Sequence, residues 1–177
     1  MTDDPPRREE GDAVERFVGL LRNARHLPVN FIQTDERVEG TVLEQGGSAE
    51  EWLAGLAVQA PIYRWTELAG RYVLLPQAVV WDTPIRNVLI ADASRLEAAT
   101  RLVAQIRTAV PMLADLSEPP MIGDPRSPVY SQTVSLPRDG TILQHMVALL
   151  GADRRIVFTI ERTRFGDRVL HFDRVPE

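Results

Sequence analysis

A chain of 177 residues, 44% hydrophobic and 25% charged, has the make-up of a soluble globular protein able to bury a core of its own. Its 20 basic residues against 25 acidic ones leave a net charge of −5, which argues against general binding to nucleic acid or to an anionic membrane. Cysteine is absent, so disulfides, thiolate nucleophiles and sulfur-ligated metals are excluded. Lysine is absent too: every basic side chain is arginine, and no Schiff-base or phosphate-clamp lysine exists.

Residues 1–11 combine charges and prolines with no apolar stretch, so they read as a disordered lead rather than a secretory signal. The first helix should start at Asp12. Asp12 and Glu15 have capping-box spacing, Val14, Phe17, Val18 and Leu21 form one apolar stripe, and Pro28 closes the segment after His26 and Leu27. Val29–Gln33 is strand-like, and Thr34–Arg37 turns the chain into a second expected strand, Val38–Glu44. Ser48 and Glu51 form the clearest capping box. Trp52, Leu53, Leu56 and Ala60 share the face of the helix they open, and Pro61 ends it. Tyr63 and Trp65 point to one side of the next strand, and Ala69-Gly70 turns it into Tyr72–Leu75.

From Gln77 to Ile90, Val79–Trp81 and Val88–Ile90 are candidate strands around Asp82-Thr83-Pro84. Ser94 and Glu97 open a long helix with Leu96, Ala99, Val103, Ile106 and Val110 at helical spacing, ended by Pro111. A Pro-rich loop follows over residues 116–128. Tyr130–Leu136 then alternates as a strand, and Thr141 with Gln144 caps a helix carrying Ile142, Met146, Leu149 and Leu150, stopped by Gly151. Ile156, Phe158 and Ile160 alternate along a strand that turns at Phe165-Gly166-Asp167 and returns over Val169–Val175.

Setting Gly47-Ser48 over Gly140-Thr141 superimposes Trp52 on His145, Leu53 on Met146 and Leu56 on Leu149. The expected fold is therefore α+β, with helix–strand–strand–helix–strand–strand occurring twice, in residues 12–77 and 94–177, each unit a small sheet with helices packed on one face, joined by a connector over 78–93. No apolar run approaches the ~20 residues needed to span a bilayer.

Chemistry-bearing residues form no convincing constellation. His26 ends a helix, His145 sits inside one and His171 lies in the last strand, without metal-ligand spacing. Ser48 and Ser94 are explained as caps, and Asp35-Glu36 and Glu50-Glu51 as turn and first-turn acids. Gly46-Gly47 precedes a helix, but no phosphate-loop or dinucleotide fingerprint exists. The expectation is a protein that is not an enzyme, with no cofactor and no metal. One local bias stands out: six arginines against three acids over Arg154–Arg174, interleaved with Phe158, Phe165 and Phe172. Alternation is expected to point Phe158 inward and the arginines outward.

The order of the first unit resembles the short N-terminal domain shared by secretins and TonB-dependent receptors, through Val38, Val42, Ser48, Trp52, Leu53, Leu56, Tyr63, Gly70, Val73 and Leu75. The C-terminal domains of some membrane-bound anti-sigma factors look alike too. The likeness covers residues 12–76 well and 94–175 in outline; the longer second hairpin and the Pro-rich loop depart from it. It implies a protein–protein interaction module of the bacterial envelope, periplasmic if a signal has been removed and cytoplasmic otherwise. A protein partner would bind by strand addition at a sheet edge, around Tyr63, Trp65 and Tyr72, and homo-oligomerisation stays open. The arginines Arg154, Arg155, Arg162, Arg164 and Arg168 would meet an acidic protein partner. In the alternative reading they would hold single-stranded nucleic acid in a cytosolic regulatory domain.

Overall fold

The computed structural model describes residues 12–119 and 127–177. The lead expected over residues 1–11, and residues 120–126 of the Pro-rich loop, lie outside them. The chain runs α1 (Ala13–Ala24), β1 (Val29–Ile32), α2 (Ala49–Gln59), β2 (Tyr63–Leu68), β3 (Arg71–Pro76), a 3-10 turn (Val79–Asp82), β4 (Pro84–Ile85) and β5 (Ala93–Ser94). It continues with α3 (Arg95–Ala109), a second 3-10 turn (Pro111–Leu113), β6 (Leu116–Ser117), α4 (Pro128–Ser131), β7 (Thr133–Val134), β8 (Gly140–Thr141), α5 (Ile142–Ala148), β9 (Ile156–Arg162) and β10 (Arg168–Arg174).

The four main helices begin at the expected caps, each satisfying N–H groups that a helix start leaves free. Asp12 Oδ1 accepts from the Val14 and Glu15 amides at 2.8 and 3.1 Å, and its Oδ2 accepts from the Val38 amide at 2.8 Å. Ser48 with Glu51 and Thr141 with Gln144 form complete capping boxes, and Ser94 accepts from Glu97. The stops are local as well. Pro61 and Pro111 follow the last turns of α2 and α3, and Gly151, with φ +65°, follows α5.

The fold is mixed α+β. Six strands form one sheet in the order β2-β3-β1-β9-β10-β6, with β1 parallel to both β3 and β9, β6 parallel to β10, and the hairpins β2–β3 and β9–β10 antiparallel. Two short ladders, β4–β8 and β5–β7, fasten residues 84–94 to the segment before α5. On one face of the sheet, Val14, Phe17, Val18 and Leu21 of α1 and Leu53 and Leu56 of α2 pack on Phe31, Tyr63 and Leu74. On the other, α3 and α5 pack on Ile32, Val73, Leu75, Phe158, Ile160, Leu170 and Phe172. Because successive strand residues face opposite sides, Val73-Leu74-Leu75 is buried on both, and the run carries no polar residue.

Both halves share one connectivity: helix, strand, helix, hairpin, with the last strand parallel to the first (β1 with β3, β6 with β10). Yet β9 runs parallel to β1, whereas its counterpart β2 runs antiparallel to β3 and hence to β1. The second half is thus turned over relative to the first, and so its helices clothe the opposite face.

Several expected strands are not strands. Val38–Glu44 has no ladder: Gly40 takes φ +87°, and Val38 and Val42 pack against the α1–α2 core instead. Tyr130–Leu136 holds the end of α4 and the two-residue β7, because Ser127 caps a short turn at Val129 and the Gln132 carbonyl accepts from Arg95 N. Val79–Trp81 is 3-10, and Val88–Ile90 makes only isolated bonds, Val88 N to Arg138 O and Leu136 N to Ile90 O. The helix–strand–strand order is therefore corrected to helix–strand in each half.

Candidate interaction edge

The left-handed Ala69 (φ +51°) and Gly70 (φ +71°) close the β2–β3 hairpin and fix its register, Tyr63 opposite Pro76 through Leu68 opposite Arg71. Gln77 N donates to Ile62 O at 2.9 Å, so Ile62 and Gln77 form a hydrogen-bonded pair. Alternation then makes Arg64, Thr66 and Leu68 the residues that bond to β3, and turns the N–H and C=O of Tyr63, Trp65 and Glu67 away from the sheet. Tyr63 is satisfied, its amide donating to Ala60 O and its carbonyl accepting from Gln77 Nε2 at 2.9 and 3.2 Å. Among the described residues, no backbone partner reaches the outward groups of Trp65 or Glu67. β2 is an open edge.

The three aromatic candidates meet on the α1–α2 side of this edge but differ in access. Tyr63 is fully buried, its ring centroid 5.8 Å from that of Phe31 and its hydroxyl accepting from Thr34 N at 3.0 Å; burial pushes its pKa up. Trp65 and Tyr72 are half-buried and meet edge-on at 6.1 Å. Tyr72 donates to Glu50 of α2, a bond that pushes the phenol up to about 12.

The arginines are already engaged. Arg162 contacts Asp35 at 2.6 Å and Asp115 at 3.0 Å, and Arg168 bridges the same two acids. Arg155 pairs with Glu177 and Asp153, Arg154 donates to Gly70 O, and Arg164 lies over the Phe165 ring at 4.7 Å. The expected outward alternation does not hold. Arg162, Arg168 and Arg174 share the parity of Phe158 and Phe172, at the strand ends beyond the apolar cluster.

The opposite side of β9–β10 carries Glu161, His171 and Asp173 instead. His171 Nδ1 lies 3.4 Å from Asp173 Oδ2, and its buried Nε2 lies 3.6 Å from Glu161 Oε1, an ion-pair distance too long for a hydrogen bond. Burial works to lower the imidazole pKa, but the two carboxylates outweigh it and hold it up at about 9. Arg22 of α1 reaches this side and donates to Thr159 Oγ1, Val29 O and Phe158 O. The other two histidines stand apart. His145 is buried with both ring nitrogens facing carbonyl oxygens, of Thr141 and Pro137, and His26 is exposed near Pro176 O. Among the described residues no group of three or more His, Asp or Glu side chains could hold a metal ion.

A cleft of about 510 Å³ opens between the β2–β3 turn and α5, beside Leu68, Arg71, Asp139, Gln144 and Arg154. The Arg71 guanidinium bonds the carbonyls of Gly151, Asp153, Arg154 and Ile156, and Arg154 holds Gly70, so its cationic groups serve the backbone.

No family model matches the sequence, and no characterised protein or solved structure matches it either. No helix among the described residues is long and apolar enough to cross a membrane. Of the edge residues, Trp65 is among the contacts expected from sequence, whereas Thr66 and Glu67 are not. The signal was available in the Ala69-Gly70 turn, which sets which residues of the strand face away from its partner.

Proposed function

We propose that the chain is a non-enzymatic protein-interaction module of the bacterial cell envelope, and that its partner adds a strand along β2. The observation that carries this reading is the pair of unbonded N–H and C=O sets at Trp65 and Glu67 on a six-residue edge strand. Edge strands are ordinarily blunted by charged side chains, proline, bulges or a covering segment; β2 has no proline or bulge and, among the described residues, no covering segment, and of its two charges Arg64 is held by Asp82 at 2.6 Å while Glu67 is exposed. Half-buried Trp65 offers a partner side chain an apolar neighbour. The envelope setting rests on the likeness of residues 12–76 to the secretin and receptor short domain, and the shared connectivity of the two halves supports reading them as copies of one unit. Single-stranded nucleic-acid binding has less behind it, because Arg155, Arg162 and Arg168 already face acids.

Photo-crosslinking from position 69 in native host cells tests the edge. A discrete protein should be captured. Glu67→Pro removes one outward N–H and leaves every β2–β3 bond in place, so it should abolish capture with little change in melting temperature. Capture that persists in Glu67→Pro overturns strand addition.

A further inference from the structure

We infer that the strand added to β2 is β2 of a second copy of this chain, related by a twofold axis through Thr66. The inference rests on the strand-addition reading above and names its partner.

Register selects the partner. Outward-facing residues must oppose outward-facing residues, and three antiparallel self-pairings of β2 set an open residue, Trp65 or Glu67, against another. Centred on Trp65, the pairing sets Glu67 against Tyr63 of the second copy, whose amide and carbonyl are already bonded to Ala60 and Gln77. Only the two bonds between the Trp65 residues gain open groups at both ends. Centred on Glu67, it brings two exposed carboxylates face to face and sets Trp65 against the left-handed Ala69 of the turn.

Centred on Thr66, the pairing sets Trp65 against Glu67 of the second copy and Glu67 against its Trp65. All four open groups on each copy find partners, giving four backbone hydrogen bonds. No like charges meet. On the α3–α5 side of the sheet, Thr66 lies across from Thr66 and Arg64 across from Leu68, both acceptable cross-strand pairs. The strand is thus self-complementary in one register, as a twofold interface requires. The other end of the sheet offers no equivalent, since β6 has only two residues.

The pairing makes a sharp geometric demand. Thr66 and its twin form a non-hydrogen-bonded pair, whose Cα atoms stand about 4.5 Å apart, within the span of a disulfide. The chain has no cysteine, so a single one reports cleanly. Under mild oxidation Thr66→Cys should form a disulfide-linked dimer, whereas Arg64→Cys, opposite Leu68, should remain largely free of the disulfide link.

Charge supplies the second test. By sedimentation velocity the wild type should pass from monomer to dimer as concentration rises through the micromolar range. Thr66→Glu and Thr66→Arg should each stay monomeric, and their equal mixture should restore the dimer, with circular dichroism verifying that each variant is folded. A wild type that stays monomeric throughout, a mixture that fails to pair, or oxidation at position 64 equal to that at position 66 overturns the self-pairing. The two readings separate cleanly. If the second copy is wrong but strand addition is right, crosslinking in host cells still captures another protein and still loses it in Glu67→Pro; if strand addition itself is wrong, that loss does not occur.

Discussion

Arg95 shows how a single side chain can hold together parts of the chain that are far apart in sequence. It is fully buried, yet no acid among the described residues pairs with it directly: its guanidinium donates to the carbonyls of Leu149, Leu150 and Val129 and to Gln132 Oε1. Burial pulls its pKa down to about 10, so it stays charged at neutral pH. Two of those acceptors close α5, where the negative end of the helix favours a cation. Arg95→Met should lower unfolding free energy by about 3 kcal/mol, because several buried acceptors lose their donors at once. Arg95→Lys should recover less than half of that loss, since an ammonium lacks the planar fork. Urea titration of the three proteins checks both.

His171 makes a prediction in pH. Its folded value of about 9 stands above its ordinary 6.5, so its stabilisation is complete below about 6.5 and fades as pH rises through about 9. Glu161 and Asp173 are held low, first by the His171 imidazole beside them, so their share is lost in acid, as pH falls through their depressed values. From α1, Arg22 supports Asp173, while Glu15 is pushed up, first by burial and then by Glu161, and works against ionisation there. Unfolding free energy should therefore drop by about 2 kcal/mol between neutral pH and pH ~9.5, and His171→Gln should flatten that slope. Chemical denaturation across a pH series reads it; an unchanged slope in His171→Gln removes the imidazole as its source.

At the scale of elements, what could be read in advance was what is local. Asp12, Ser48, Ser94 and Thr141 each cap the helix expected of them, since a cap and its N–H partner lie within three residues. The hairpin turns were equally legible from Ala69-Gly70 and Phe165-Gly166-Asp167. Val38–Glu44 and Tyr130–Leu136 have the alternation of strands but find no ladder in the sheet, and a strand exists only where a distant segment offers one. The same non-locality hid the acid partners of the arginine-rich hairpin. Asp35 and Asp115 lie more than 40 residues from Arg162 and Arg168, and nothing within β9 or β10 announces them. Of the interaction edge, Trp65 was visible as an aromatic on a strand; the openness of that strand follows only from the sheet order.

For the molecule as a whole, the continuous sheet couples the two halves. β1 and β9 meet through two registered pairs, and beside them Asn30 Oδ1 accepts from Phe158 N at 2.9 Å while Gln33 Oε1 accepts from Arg162 N at 2.9 Å. Leu53→Ala, in the α1–α2 core, and Met146→Ala, in the α3–α5 core, should each cost about 2–5 kcal/mol. Both should shift one shared transition, seen alike by tryptophan fluorescence and circular dichroism. Two separable transitions would mean that the halves are merely neighbours.

The inversion of the second half has a consequence for any attempt to divide the protein. Ile32, Val73 and Leu75 belong to the first half, but their shelter comes from the far side of the sheet, beneath α3 and α5. Severed after Gln77, the leading fragment would carry that greasy underside bare into water. Each piece is the other's lid, and fragments made this way should reassemble rather than persist alone.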